Sequence, residues 1–286
     1  MALLKKIKNS IKSRYLSSTN DWEGIDVSLV TGTGRIGTMF FKDFFTLNFQ
    51  DTLAYHEPWP DLHDIGYNYH HNSYSTERAI DIIKRERAEI CADLNKRGVK
   101  NYLESNYNLS YLLPFLKPVF GDFKLVHIIR EPKSQLQSIF SVKEAKRHIY
   151  AEFDDRNRIT APDFPDDPFA SEWENWERFE KLCWHYYKVN TMLGDFVDNN
   201  PNAITVRFDE IFDKKNDYEG LFRIADFINA PMKEGVTKEK LLESLSMRSN
   251  KTKKKGIQSY DEWSDKQKEA FHRITDFVAQ RFGVID

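Results

Sequence analysis

The sequence predicts an α/β protein with a central, mostly parallel sheet of about five strands covered by helices on both faces. Three observations predict it. Short apolar runs with strand character alternate with longer helical patterns, as βαβ units require. One run, Phe123 to Ile129 (FKLVHII), is nearly continuous in apolar content, as a strand buried on both faces should be. The first run ends in a glycine-rich turn that leads into a helix, the arrangement in which α/β proteins hold anions. A chain of 286 residues with 14% aromatics can bury one sizeable core, so a single elaborated domain over 1–286 is expected.

The elements follow in order. Val27 to Thr31 is the first strand, and the Phe-rich segment through Phe45 is the helix after it. Asp51 to Glu57 reads as a second strand, stopped by Pro58. Trp59 to Ser73 reads as loop, with His70 and His71 solvated, since no third ligand is spaced to make them a metal pair. Thr76 to Lys96 is a long charged helix ended by Gly98, Lys100 to Glu104 a third strand, and Leu109 to Leu116 a short helix. After the strand at Phe123 comes a helix over Lys133 to Tyr150; His127, inside the strand, reads as a core histidine with satisfied hydrogen bonds.

Phe153 to Ser171 changes character. It is acidic and holds Pro162, Pro165 and Pro168, which marks a long loop, either an acceptor-side flap or a disordered insertion. Glu172 to Asn200 is a helix whose stripe of Trp173, Trp176, Phe179, Trp184 and Tyr187 reads as core. Ala203 to Phe208 is the fifth strand, and Asp209 and Glu210 after it read as helix caps. A cationic loop at Asn250 to Gly256 and a closing helix over Glu262 to Phe282 complete the chain.

Composition excludes some classes. The net charge of -2 gives no basic field for nucleic acid. Cys91 and Cys183 read as buried free thiols. No run approaches a membrane span of about 18 apolar residues. The basic amphipathic segment 1–20 places Leu3, Leu4, Ile7 and Ile11 at helical spacing, so 1–16 can either lie on an anionic membrane surface or dock on its own domain. It lacks the apolar core of a signal peptide, and a cytoplasmic location is the expectation.

The turn Gly32-Thr33-Gly34-Arg35-Ile36-Gly37 admits three readings. It satisfies G-x-G-x-x-G, with Glu57 downstream as a ribose ligand, which would make an NAD(P)-binding oxidoreductase. It also begins like G-x-x-x-x-G-K-[ST], but Thr38 and Met39 stand where the lysine and the magnesium-binding hydroxyl belong. The third is a phosphate loop with its cation moved to Arg35, suited to an anion whose reaction needs no metal.

TGTGRIGTMFF resembles the 5′-phosphosulfate loop of the sulfotransferases that use 3′-phosphoadenosine-5′-phosphosulfate (PAPS), and LVHIIREPKSQLQSIFS resembles their 3′-phosphate motif. The two cover roughly Asp26 to Ser141. The resemblance implies a three-layer sandwich with a P-loop-like phosphosulfate loop. It implies PAPS as donor, with PAP (the desulfated donor) as product, no metal, and a hydroxyl acceptor. Gly34, Arg35, Ile36, Gly37, Thr38 and Met39 would cradle the donor, with Phe40 either stacking on adenine or packing in the core. Arg130 and Ser138 would read the 3′-phosphate, and Lys254, Lys255 and Gly256 would close over it. Arg35 would be the catalytic cation and Glu57 the base, with His56 pointing to the other side of its strand. Some members carry Lys-x-His after the third strand; here Glu104-Ser105-Asn106-Tyr107 has neither, which favours Glu57 and a carbohydrate, glycolipid or peptide acceptor over a simple phenol. A catalytically silent nucleotide-binding relative is the remaining alternative.

Overall fold

The structure is a computed structural model that describes residues 22–140, 149–247 and 259–284. Five strands, β1 (Asp26–Thr31), β2 (Thr52–His56), β3 (Asn101–Ser105), β4 (Phe123–Ile129) and β5 (Ala203–Arg207), form one sheet. Every pairing is parallel, in the order β2-β3-β1-β4-β5. The ten helices are α1 (Thr38–Asn48), α2 (His63–His70), α3 (Thr76–Arg97), α4 (Leu113–Phe120), α5 (Pro132–Phe140), α6 (Arg178–Asp198), α7 (Phe208–Phe212), α8 (Glu219–Ile228), α9 (Lys238–Met247) and α10 (Asp265–Phe282), counted among the described residues.

Strand alternation sorts most of the core into two large clusters, one on each face, beside a small third one around Ile129, Tyr186 and Val278. Val27 and Leu29 of β1, Tyr102 of β3 and Leu125 of β4 pack with α3, α4, α6 and α10. Val30, Leu103, Val126 and Ile128 pack on the other face with Phe41, Phe44 and Phe45 of α1, Leu221 and Ile224 of α8, and Leu241 of α9. The result is three layers. Each large side chain sealed this way contributes roughly 1.5–3 kcal/mol.

The chain's punctuation accounts for the helix ends. Ser75 caps α3 by accepting from the Arg78 N–H at 3.3 Å, and Gly98 ends it at φ 66°. Ser264 and Gln267 form a capping box at the start of α10. His127 is buried, with ring nitrogens 3.1 Å from the Thr205 hydroxyl and 2.9 Å from Asn190 Oδ1, as a core histidine should be. Cys91 and Cys183 are buried and are not joined in a disulfide.

Two expectations need correction. Trp59 to Ser73 is not all loop. Ile65 and Gly66 turn inward, α2 forms, and His70 packs against Phe164 with its ring 3.1 Å from the Tyr111 carbonyl. His71 contacts Asp163 instead of solvent alone. Nor is Phe153 to Ser171 a loose insertion. Arg158 pairs with Asp154 at 2.7 Å, Asp163 accepts from the Thr160 N–H at 2.8 Å, and Asp167 accepts from the Trp184 indole at 3.1 Å. Trp173 and Trp176 are core, as expected, but Trp173 lies in a 3₁₀ turn, Ala170–Asn175, and Trp176 just after it, before α6 starts at Arg178.

Candidate active site

The turn between β1 and α1 has an asymmetric backbone. The Thr33 carbonyl accepts from His185 Nε2 (3.3 Å), the Gly34 carbonyl from Gln135 Nε2 (2.7 Å), and the Arg35 carbonyl from an Arg130 terminal nitrogen (3.1 Å). The Ser110 hydroxyl lies 3.2 Å from the Gly32 carbonyl. Among the described residues, none of the N–H groups from Thr33 to Gly37 finds a protein acceptor. Acceptors are occupied and donors are left over, which is the condition for holding an anion.

Steric detail explains the glycines. A Cβ on Gly32 would sit 2.5 Å from the Ile128 carbonyl oxygen, because β1 and β4 run side by side. Gly37 caps α1 at φ 81°, with Phe212 2.5 Å from where a Cβ would be. Arg35 has no such licence. It sits at φ 56°, a left-handed conformation costing an ordinary residue about 1–3 kcal/mol and held only by its surroundings.

Those surroundings are the second motif. β1 and β4 are neighbours, so Arg130, just past the end of β4, reaches the turn that follows β1. Its Nε donates to Ser134 (2.9 Å), a terminal nitrogen holds the Arg35 carbonyl, and its guanidinium lies 4.6 Å over the Phe208 ring. Burial and the nearby Arg35 lower the Arg130 guanidinium from its usual value against the pull of Glu131. The Arg35 guanidinium in turn donates from Nε to the Ser138 hydroxyl at 3.2 Å. Ser138 therefore contacts Arg35, whereas the sequence pairs it with Arg130. Both guanidinium groups lie at one place, beside a row of unpartnered N–H groups.

The other loop residues divide. Ile36 is buried in the core, Thr38 is nearly buried with its carbonyl accepting from Ser105 (2.7 Å), and Met39 is exposed. Phe40 is half-buried and packs on Phe44 and Phe212 at 5.3 and 5.2 Å between ring centres. Lys254, Lys255, Gly256 and the segment 1–16 lie outside the described residues.

Glu57 follows β2 at φ 43°, with its N–H on the Ser105 carbonyl at 3.0 Å. This turn cancels the strand alternation. His56 does not face away: its Nδ1 is 3.9 Å from Glu57 Oε1, too far for a hydrogen bond. Burial raises the Glu57 carboxyl above the usual carboxylate range; His56 and Arg156 oppose the rise, while Asp61 and Glu104 add to it. Tyr107 links the two sides. Its ring is 3.8 Å from where a Cβ on Gly34 would stand, and its hydroxyl bonds Arg158 and feels the Glu57 charge. Beside it is a pocket lined by His63, Tyr107, Tyr111, Tyr150, Arg158 and His185.

Glu104, near the end of β3, has a structural job. It forms a bidentate, fully buried pair with Arg87 at 2.8 Å and also accepts from Tyr102 (2.6 Å) and Asn106 (2.9 Å). Burial pushes its carboxyl up, but Arg87 and these donors outweigh burial and hold it below the usual range. Arg87 also donates from Nη1 to the Pro60 carbonyl at 2.9 Å.

Sequence reasoning missed Gln135, His185 and Ser110. Each holds the glycine turn from 78 to 152 positions away. Only Gln135 left a trace, inside the stretch that begins at Arg130. The described residues contain no group of three His, Cys, Asp or Glu side chains able to hold a metal, and no helix long and apolar enough to cross a membrane.

The strand order separates the turn from a dinucleotide site. In the dinucleotide-binding order 3-2-1-4-5-6 the second strand lies beside the first. Here β3 intervenes, so Glu57 stands two strands away from β1, roughly 10 Å off, and is badly placed for a ribose on the turn.

No family model and no curated protein matches the chain. Among solved structures, a sulfotransferase domain from the curacin biosynthetic pathway is similar, with TM-score 0.46 and 11% identity over 91% of this chain and 97% of that one. A sulfotransferase domain from the Synechococcus PCC 7002 olefin synthase has TM-score 0.45 and 13% identity over 91% and 94%. Both overlaps are loose, and the functional assignment is carried by this chain's own residues.

Proposed function

We propose that the protein is a sulfotransferase that moves a sulfuryl group from PAPS to a hydroxyl of a carbohydrate, glycolipid or peptide by in-line displacement. The observation that carries this reading is the turn from Gly32 to Gly37, its carbonyls clamped and its N–H groups free, with Arg35 and Arg130 converging beside it. PAPS would supply an activated sulfuryl group and leave as PAP. The N–H row and the Thr38 hydroxyl suit the phosphosulfate end, and Arg130 with Ser134 and Ser138 suits a second phosphate.

The chain's residues would divide the work as follows. Arg35 stabilises charge developing on the leaving phosphate. Glu57 takes the acceptor proton, and its raised affinity for protons brings it nearer to working pH, where a general base is most effective. Tyr107, whose ring lies beside the turn at Gly34, is placed to orient the acceptor. No lysine or histidine beyond β3 is needed, because that strand end is committed to the Arg87–Glu104 pair.

Thermal shift separates this from a dinucleotide enzyme: PAP is expected to raise the melting temperature and NADH to leave it unchanged. Release of PAP that depends on an added hydroxyl acceptor would separate an active enzyme from a silent relative. Glu57→Gln should abolish that release and keep the PAP shift; full activity in that variant removes Glu57 as the base.

A further inference from the structure

We infer that Trp59 is the acceptor platform and that the acceptor it selects is a saccharide ring; the inference rests on the sulfotransferase reading above. Trp59 is 78% exposed, whereas the other five tryptophans, Trp22, Trp173, Trp176, Trp184 and Trp263, are all below 10%. A tryptophan normally buries a large apolar area, so one left in water calls for a partner.

The backbone that carries it is held firmly. The Glu57 N–H donates to Ser105, the Pro60 carbonyl accepts from buried Arg87 at 2.9 Å, and the Asp61 carbonyl accepts from Asn106 and Asn108 at 3.2 and 2.9 Å. Asp61 also pairs with Arg156 across the gap at 2.8 Å. Pro58 and Leu62 are buried on either side of the exposed ring. The fold thus fixes an indole two residues from the candidate base without burying it. Such a ring loses little further backbone entropy when something stacks on it.

The neighbours decide the chemistry of the partner. Within four positions of Trp59 along the chain come Glu57, Asp61, which pairs with Arg156, and His63, whose Nε2 donates to the Asn157 carbonyl at 2.8 Å. Phe153 is an exposed ring three positions before Arg156, but the residues that follow it, Asp154, Asp155 and Arg156, are charged. An acyl chain or an apolar peptide would need a contiguous apolar patch. A pyranose has what this loop offers to bind: a face of C–H groups, polarised positive, to lie on the negative face of the indole, and hydroxyls for the polar groups near it in the chain.

The sole exposed tryptophan gives a direct test. Acrylamide quenching of intrinsic fluorescence, with PAP present, should report mainly Trp59. Neutral glycosides (methyl β-D-galactopyranoside, methyl β-D-glucopyranoside and methyl N-acetyl-β-D-glucosaminide) should lower the quenching constant at least twofold, while a tyrosine-containing acidic peptide and 1-octanol should not. In turnover with the protecting glycoside, Trp59→Ala should raise the acceptor KM about tenfold with kcat within about twofold, and Trp59→Phe should recover most of the loss. Protection by the peptide or the alcohol instead, or none by any glycoside at up to about 100 mM, a limit set for millimolar ligands, overturns the inference. So does an unchanged acceptor KM in Trp59→Ala. The PAP thermal shift reports on the donor reading separately, so failure of one is distinguishable from failure of the other.

Discussion

The turn from Gly32 to Gly37 and the loop from Glu57 to Leu62 are immobilised in the same way, by distant side chains clamping their carbonyls. They present opposite surfaces. The first turns out a row of N–H groups and two guanidinium groups, and suits an anion. The second turns out a carboxyl and an exposed indole, and suits a neutral, hydroxyl-bearing partner. Left-handed residues mark both, Arg35 at φ 56° and Glu57 at φ 43°. Strain without glycine at the two candidate catalytic positions indicates that side-chain placement, not chain economy, selected these conformations. A rigid scaffold with exchangeable chemistry on top is the lesson of the pair.

The largest effect should come from undermining the second loop alone. Arg87→Ala leaves the Glu104 carboxylate buried and unpaired and should cost about 3–5 kcal/mol in chemical denaturation. It also removes the clamp on Pro60, so in protein still folded at low temperature acceptor binding should suffer more than PAP binding; equal loss at both would break the division. On the first turn, Arg35→Ala should lower kcat by about 10²–10³ while PAP affinity changes much less, since its role is to meet charge that develops late. Arg130→Ala should weaken PAP by about 2 kcal/mol in calorimetry, as for a charged hydrogen bond, and leave the acceptor KM unchanged. Gln135→Ala, which frees the Gly34 carbonyl, should weaken PAP by about 1 kcal/mol with no effect on the acceptor.

A further expectation is a pH dependence of stability. Burial pushes the His185 imidazole down to about 4, against the hydrogen bond to Thr33. Below about 6.5 the unfolded chain takes up a proton that the fold refuses until near 4, so His185 should make stability decline as pH falls through that window. His185→Gln should flatten the melting-temperature slope between those values; an unaltered slope would mean that other groups set it.

Much of the first turn was legible because its chemistry is local. Glycines, a strand before and a helix after write a candidate anion turn within a dozen residues, and Arg130 stands at the end of an unmistakable buried strand. The strands themselves fell within a residue or two of expectation, since parallel buried strands write continuous apolar runs. The second loop was not legible. Helix α2 is short and half-polar, and its burial depends on Tyr111 and Phe164, far away in sequence. The orientation of His56 failed because alternation holds only while the strand lasts, and Glu57 leaves it. Gln135 and His185 were invisible as clamps, since nothing in a glutamine or a helical histidine says which carbonyl it will find.

Arg35 and Arg130 are latched to one another. One lends its carbonyl and the other a donor, while Ser138 holds the free end of the first. Two phosphate groups arriving at the opposite ends of one nucleotide would therefore meet a single mechanical unit. Whichever end docks first must loosen or tighten the grip awaiting the other. Fragments carrying only one of the two groups should then show affinities that do not sum to that of the intact molecule, and the mismatch would measure the stiffness of the latch.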